Sequence, residues 1–140
     1  MTVKLESASV AVRDPAASAR FYGEILGLEI REEADGVRLI LGPGQSLRLI
    51  RCMAEPGETL LRTAVGVYPK GFHHVCLAVE EIEALRDRVC GFGWPLERDV
   101  LRGTDGNLQF WVRDPDGYPV ELMQMSDESL QRTSKGGERP

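Results

Sequence analysis

The chain carries two histidines, and they are adjacent at His73 and His74. An imidazole is a common metal ligand and also the usual general base near neutral pH. Both residues fall in an apolar stretch that is typical of a strand, and neighbouring side chains of a strand point to opposite faces. We therefore expect the two imidazoles to lie on opposite faces of the strand, so that they do not share one site.

Other patterns that carry chemistry are weak or missing. Cys52, Cys76 and Cys90 are odd in number and widely spaced, which is typical neither of a disulfide framework nor of a CxxC metal site. We expect buried, reduced thiols of a cytoplasmic protein. No Ser-His-Asp spacing indicates a nucleophile. The turn at Gly42–Gly44 lacks the Lys-Ser/Thr pair that a phosphate-binding loop requires.

Composition is that of one small globular domain. The 140 residues are 42% hydrophobic and 28% charged, which is ordinary for a chain with a single core. The net charge of -5 argues against nucleic-acid or anionic-membrane binding, because each needs a basic surface. No apolar run is long enough to span a membrane, and the first residues do not resemble a signal peptide. We expect a cytoplasmic protein with a small-molecule ligand or substrate.

The first half of the chain predicts the order strand, helix and three strands. Asp14 and Pro15 supply an N-cap and a first helical residue, and Gly27 supplies the helix end. Alternation and turn signals predict strands over about 3–12, 28–32, 36–41 and 46–52.

The second half repeats this order. Helical spacing of Ile82, Leu85 and Val89 predicts an amphipathic helix. The Asp114–Gly117 sequence is a strong turn signal. Strands are predicted over about 72–79, 96–102, 107–113 and 119–125. Local correspondences support an internal repeat, with SASVAVRD against HVCLAVEE and GQSLRLI against GYPVELM.

The predicted fold is α+β, with two βαβββ modules that form a curved mixed sheet around a cleft. Each module alone leaves sheet edges open, and pairing of the modules within a chain or across a dimer covers them. The predicted organisation is one domain over 1–140, with module one at about 3–53, a linker at about 54–71, module two at about 72–126 and a mobile tail at about 127–140. Within the linker, Thr59–Arg62 is expected to form one helical turn.

Three segments in this order resemble the vicinal oxygen chelate superfamily, which is the glyoxalase, bleomycin-resistance and extradiol dioxygenase group. They are VAVRDPAASARFYGEILGLE, FHHVCLAVEEIEAL and FWVRDPDGYPVELMQ. The resemblance implies the glyoxalase-like fold, but a fold does not specify one reaction. It also implies a homodimer, because many two-module members build their clefts across a two-fold axis.

The resemblance implies a site built from inward-facing residues on the first and last strand of each module. Those positions hold Ser7, Arg48, His74 and Glu121. His74 and Glu121 match the family's metal ligands, whereas Ser7 replaces a His or Gln and Arg48 replaces a Glu or Gln. An imidazole and a carboxylate suit Zn, Fe, Mn or Ni as a Lewis acid. Two protein ligands are nevertheless fewer than the three of a typical catalytic zinc site.

Arg48 is the main departure from the family pattern. A permanent cation within about 4 Å of a metal ion is repelled by roughly 4 kcal/mol per unit charge at an effective dielectric of 20. Arg48 is therefore expected to pair with Glu121 or to bind a carboxylate or phosphate of a ligand. Gln109 and Trp111 are further candidates for ligand contacts.

Three functions are compatible with these residues. The first is a divalent-metal-dependent lyase, isomerase, epimerase or dioxygenase that uses His74 and Glu121. The second is a metal-free ligand-binding or antibiotic-sequestering protein, in which Ser7 and Arg48 contact the ligand. The third is a metal-free enzyme with Glu121 or His74 as general base.

Overall fold

The computed structural model describes residues 2–3, 5–52, 60–63, 66–69 and 74–126. The chain divides into two compact units, Met1–Phe72 and His73–Pro140. His73 and the tail predicted from about 127 lie outside the described residues.

The first unit contains a four-stranded mixed sheet with one helical segment. Its strands lie in the order β1-β4-β3-β2, with β1 parallel to β4 and the other neighbours antiparallel. In chain order the elements are β1 (Ser7–Val12), α1 (Pro15–Ala19), a π-helical turn (Arg20–Ile25), β2 (Glu29–Glu33), β3 (Gly36–Gly42) and β4 (Gln45–Arg51).

The helical segment begins and ends where the sequence predicts. The Asp14 carboxylate accepts a hydrogen bond from the backbone N–H of Ala16 at 3.1 Å, which caps the helix. The helix then widens, because the Leu26 N–H donates to the Phe21 carbonyl five residues earlier. Gly27 ends the segment with a φ of 83°, a conformation that favours glycine.

The apolar face of this segment covers one face of the sheet. Phe21, Tyr22 and Ile25 are buried on the helical side. Val12, Leu39 and Leu49 are buried on the sheet side. The opposite sheet face carries the polar side chains, so the alternation of β1, β3 and β4 separates the core from a polar surface.

A two-stranded antiparallel hairpin occupies part of the predicted linker. It pairs β5 (Leu60–Thr63) with β6 (Gly66–Pro69). The helical turn predicted at 59–62 is therefore wrong for the described residues 60–62. A single helical turn fixes several residues for one hydrogen bond, whereas the hairpin gains a ladder of hydrogen bonds, and Val67 and Tyr68 of β6 are residue types that favour strands.

The second unit has the same topology as the first. Its sheet order is β7-β10-β9-β8, with β7 parallel to β10 and the other neighbours antiparallel. The elements are β7 (Val75–Ala78), α2 (Ile82–Gly91), β8 (Arg98–Arg102), β9 (Leu108–Arg113) and β10 (Pro119–Gln124). The prediction of two βαβββ modules with mixed sheets is confirmed.

Helix α2 packs on one face of the second sheet. Ile82 and Val89 of the predicted stripe are buried, as are Phe110, Val112 and Val120 of the sheet. The last strand also caps the helix, because the Ile82 N–H donates to the Gln124 side-chain oxygen at 3.0 Å. In the part of the chain that the structure describes, no helix combines the length and apolar character needed to cross a membrane.

Candidate functional site

The polar face of the second sheet brings two predicted site residues into contact. Cys76, Glu121 and Trp111 are aligned across β7, β10 and β9, so they share one face. His74 lies two residues before Cys76 and therefore shares that face. Val120 and Leu122 flank Glu121 on the opposite, buried face, which fixes the direction of the carboxylate.

His74 and Glu121 form an imidazole–carboxylate pair. Nε2 of His74 lies 3.3 Å from Oε1 of Glu121, with 29% of the His74 side chain and 11% of the Glu121 side chain exposed. The carboxylate is nearly buried, whereas the imidazole is accessible from solvent. A carboxylate beside an imidazole is an arrangement that binds hydrogen-bond donors and accepts protons.

Trp111 and Gln109 extend this pair into a larger surface. The Trp111 ring lies beside the His74 ring, with centroids 4.9 Å apart and planes inclined by 58°. The Trp111 indole N–H donates to the Gln109 side-chain oxygen, which fixes the indole. Gly103 makes room for Gln109, since a Cβ at this glycine would overlap the Gln109 amide nitrogen. We call His74, Glu121, Trp111 and Gln109 the second-sheet surface.

Cys76 adds a protonated thiol to this surface. Partial burial of the sulfur, the charge of Glu121 and a hydrogen bond to its carboxylate together raise the pKa of Cys76 to about 12. The expectation of buried cysteines is correct for Cys52 and wrong for Cys76 and Cys90, which are exposed free thiols. Cys76 is exposed because it lies on the polar face of β7 and not on the core face.

The raised pKa of Cys76 predicts a difference in reactivity between the two exposed thiols. Because the thiolate is the nucleophile, Cys76 should react with iodoacetamide at pH 7.5 at least tenfold more slowly than Cys90. Peptide mass spectrometry over a time course measures both rates in one sample. Equal rates at the two cysteines would show that the Cys76 thiol is not held in its protonated form.

In the first unit, Arg48 is held by acidic residues on its own sheet. Its Nε donates to Oε1 of Glu33 at 2.9 Å, and a terminal nitrogen lies 3.5 Å from an Asp35 oxygen. Arg38 donates from Nε to the other Glu33 oxygen at 3.0 Å. The Glu33 carboxylate therefore bridges two guanidinium groups, an arrangement that fixes both side chains on the sheet face.

The hydrogen bonds of this bridge favour the charged forms of Glu33 and Arg48. Hydrogen bonds from Arg48 and then from Arg38 hold the pKa of Glu33 below its usual range. The hydrogen bond to Glu33 raises the pKa of Arg48. Arg48 is thus a permanent cation that Glu33 and Asp35 hold in place.

Ser7 lies at the start of β1 and is aligned with Ser46 of β4. A hydrogen bond from Ser7 to the Glu6 carboxylate is the largest cause that lowers the pKa of Glu6. Glu6 in turn lies 3.0 Å from a terminal nitrogen of Arg38. Ser7 therefore belongs to the polar face of the first sheet, although its described partner is Glu6 and not Arg48.

The strand registers of the two units correspond. Ser9, Arg48 and Arg38 are aligned across β1, β4 and β3 of the first unit. The same places in the second unit hold Cys76, Glu121 and Trp111. The structure brings His74, Glu121, Trp111 and Gln109 together, and it gives Arg48 the partners Glu33 and Asp35. The predicted pair between Arg48 and Glu121 joins residues of different units and stays a prediction.

Sequence reasoning missed Glu33 and Arg38 as members of the polar face of the first sheet. Alternation along β3 and β4 is the signal that places Arg38 and Arg48 on one face, once their register is known. Glu33 was missed because the predicted second strand ended at residue 32, whereas β2 in the structure ends one residue later, at Glu33.

Comparison with known proteins decides the family. The sequence model of the Glyoxalase/Bleomycin resistance protein/Dioxygenase superfamily matches residues 4–122. The chain belongs to this superfamily. The match covers both βαβββ units, and the resemblance inferred from the three sequence segments is confirmed.

Two bacterial relatives of the chain are lactoylglutathione lyases. The chain is 26% identical to a lactoylglutathione lyase of Pseudomonas aeruginosa, with 82% of this chain and 78% of that protein covered. It is 36% identical over 56 residues to a lactoylglutathione lyase of Pseudomonas putida, a match that spans 40% of this chain and only 32% of that protein.

A solved structure extends the comparison to binding proteins. The antibiotic binding protein TnmS3 from Streptomyces sp. CB03234 has a TM-score of 0.66 and 21% identity, with 89% of this chain and 98% of that chain covered. At this identity the likeness shows the glyoxalase fold and does not transfer a ligand.

Members of the glyoxalase superfamily usually use divalent metal ions. Such an ion requires several side-chain nitrogen, oxygen or sulfur donors at one site. His74 and Glu121 provide one imidazole nitrogen and one carboxylate. The corresponding polar face of the first unit provides Arg38 and Arg48, which cannot ligate a cation. Within the described ranges, no group of three or more His, Cys, Asp or Glu side chains could hold a metal ion. The described residues therefore do not fit a complete divalent-metal centre.

Proposed function

We propose that this glyoxalase-superfamily protein binds a small organic molecule directly, without a divalent metal ion, on the second-sheet surface. The contact between His74 and Glu121, beside the Trp111 ring, is the observation that carries the proposal. An aromatic or planar part of the ligand packs on the indole, and a hydroxyl or N–H group donates to the Glu121 carboxylate.

The same pair supports proton transfer if the ligand has an acidic proton. Glu121 is the proton acceptor in this proposal, because its carboxylate is nearly buried at the base of the surface. His74 stabilises the carboxylate from the solvent side, and Gln109 keeps Trp111 in place through the indole N–H. Glu121 would then act as the catalytic base of a metal-free reaction.

A second candidate is a divalent-metal-dependent lyase, which the lactoylglutathione lyases among the relatives favour. In that case His74 and Glu121 would hold the ion, and the ion would supply Lewis-acid chemistry. The available ligands argue against a metal-dependent lyase. His74 and Glu121 are only two donors, and the corresponding face of the first unit carries two arginines, whereas such ions prefer sites with more donors and no cation.

Thermal unfolding of the purified protein separates the two candidates. We expect Zn²⁺, Ni²⁺, Mn²⁺ and Fe²⁺ to leave the Tm unchanged, whereas some members of a panel of aromatic acids and phenols should raise it. Glu121→Gln and Trp111→Ala should each weaken binding of such a compound about tenfold or more, because a charge-assisted hydrogen bond or a ring contact is lost.

Glu97→Gln is the matched control for Glu121→Gln. Glu97 is an exposed carboxylate of the same unit, paired with Arg113 and outside the second-sheet surface. Its substitution should leave ligand affinity unchanged. A rise in Tm with a divalent ion that disappears in His74→Ala would establish the metal-dependent candidate and overturn the metal-free one.

We also propose that the protein is cytoplasmic and forms a homodimer. Light scattering on the purified protein tests the assembly, and a monomer at high concentration would contradict the homodimer.

A further inference from the structure

An open groove of about 490 Å³ lies in the first unit, where β3 and β4 meet at their connecting turn. Its polar lining includes Arg38, Ser46, Glu6, Arg31 and Glu29. We call this the β3–β4 groove. It lies within the first unit, so an inference about it does not depend on the function proposed for the second-sheet surface.

Arg38 presents a fixed guanidinium to this groove. Its Nε is held by Glu33 at 3.0 Å, and Arg48 holds the same carboxylate from the other side. A terminal nitrogen of Arg38 donates to the Ser46 hydroxyl at 2.6 Å and to the Glu6 carboxylate at 3.0 Å. The Nε of Arg38 is thus bound to Glu33, and a terminal nitrogen of the same guanidinium contacts the Ser46 hydroxyl and the Glu6 carboxylate.

Glu33 and Glu6 differ in how firmly they are held. The Glu33 carboxylate has an arginine on each oxygen, whereas Glu6 lies just before β1, is held by Arg38 and Ser7, and has 70% of its side chain exposed. Because water solvates the Glu6 carboxylate well, its ion pair with Arg38 contributes little net stability. Another anion can therefore replace Glu6 on Arg38 without disturbing the anchored end of the guanidinium.

We propose that Arg38 and Ser46 form a binding site for the carboxylate or phosphate group of a small molecule, and that Glu6 occupies the place of this group in the free protein. A guanidinium recognises both kinds of anion through paired N–H donors. The Ser46 hydroxyl accepts from Arg38 and retains its own O–H for the incoming anion. Arg31 also lines the groove, where it pairs with Glu29 at 3.3 Å.

Titrations of the full-length protein with sodium phosphate and with sodium succinate test the site and distinguish the two anion classes. Amide NMR signals of Gly44, Gln45 and Ser46 should shift and saturate with at least one of the two anions. Glu6→Gln should bind that anion about fivefold more tightly, because the competing carboxylate is gone. Arg38→Gln should abolish saturable shifts at these three amides.

Glu24→Gln is the matched control for Glu6→Gln. Glu24 also pairs with an arginine and is 65% exposed, but it lies on the helical segment and outside the groove. Its substitution should leave the affinity unchanged. Equal affinities in Glu6→Gln, Glu24→Gln and the unsubstituted protein would overturn the proposal, as would shifts that never saturate. This comparison decides the matter even if Arg38→Gln fails to fold.

Discussion

Replacing Gly36 by alanine should destabilise the first unit by more than about 3 kcal/mol, a large part of the stability of a small domain. Gly36 begins β3 and is aligned with Ile50 of β4. A Cβ at this position would overlap the carbonyl oxygen of Leu49 and lie 2.9 Å from its carbonyl carbon. These are backbone atoms of a central strand, so no side-chain rotation relieves the overlap.

The same substitution should disrupt the polar face of the first sheet. Gly36 is aligned with Glu33 of β2, and the adjoining turn is held by the hydrogen bond from the Arg51 N–H to the Asp35 carbonyl at 2.9 Å. Separation of β3 from β4 would move Glu33 and Asp35 away from Arg48. Arg48 would then lose both of its carboxylate partners.

Gly42→Ala is the matched control, because Gly42 ends the same strand. The nearest atom to a Cβ there is a Gln45 side-chain oxygen at 3.8 Å, an ordinary van der Waals contact. Urea unfolding should give Gly42→Ala a midpoint close to that of the unsubstituted protein and Gly36→Ala a much lower one. Similar midpoints for the two variants would show that β3 and β4 do not pack as closely at Gly36 as the structure indicates.

Signals that act over a few residues predicted the fold well. Asp14 and Pro15 placed the helix start, Gly27 placed its end, and the correspondence of the two halves predicted the repeated topology. The helix start and end depend on local backbone chemistry, a side-chain cap and a positive φ, that the neighbouring residues determine. The family resemblance implied that His74 and Glu121 share a site, and they lie on one sheet face because β7 pairs with β10 in the observed register.

The partners of Arg48 depend on information that alternation does not contain. Many carboxylates of this acidic chain lie within reach of a long arginine side chain, and the register of three strands selects among them. Glu33 reaches Arg48 because β2 continues one residue beyond its predicted end and is aligned with Gly36. Predicting this ion pair would have required both the strand end and the β2–β3 register, which tertiary packing sets.

Replacing Asp114 by alanine should cost the second unit about 3 kcal/mol. The residue is only 4% exposed, and its carboxylate accepts hydrogen bonds from the backbone N–H groups of Asp116 at 2.9 Å and Tyr118 at 3.0 Å. Hydrogen bonds to a charged group contribute about 1.5–3 kcal/mol each, and alanine would leave both N–H groups without this acceptor. The Asp114–Gly117 turn that the sequence predicted therefore depends on one buried carboxylate.

This turn also sets the alignment of the second-sheet surface. It joins β9 to β10, and the register that it starts at Arg113 and Pro119 aligns Trp111 with Glu121. Asp114→Asn keeps an acceptor oxygen without the charge, so its urea midpoint should lie between those of Asp114→Ala and the unsubstituted protein. If Asp114→Ala instead unfolds at the midpoint of the unsubstituted protein, the turn is held by its backbone alone. In that case the carboxylate has no part in aligning the site.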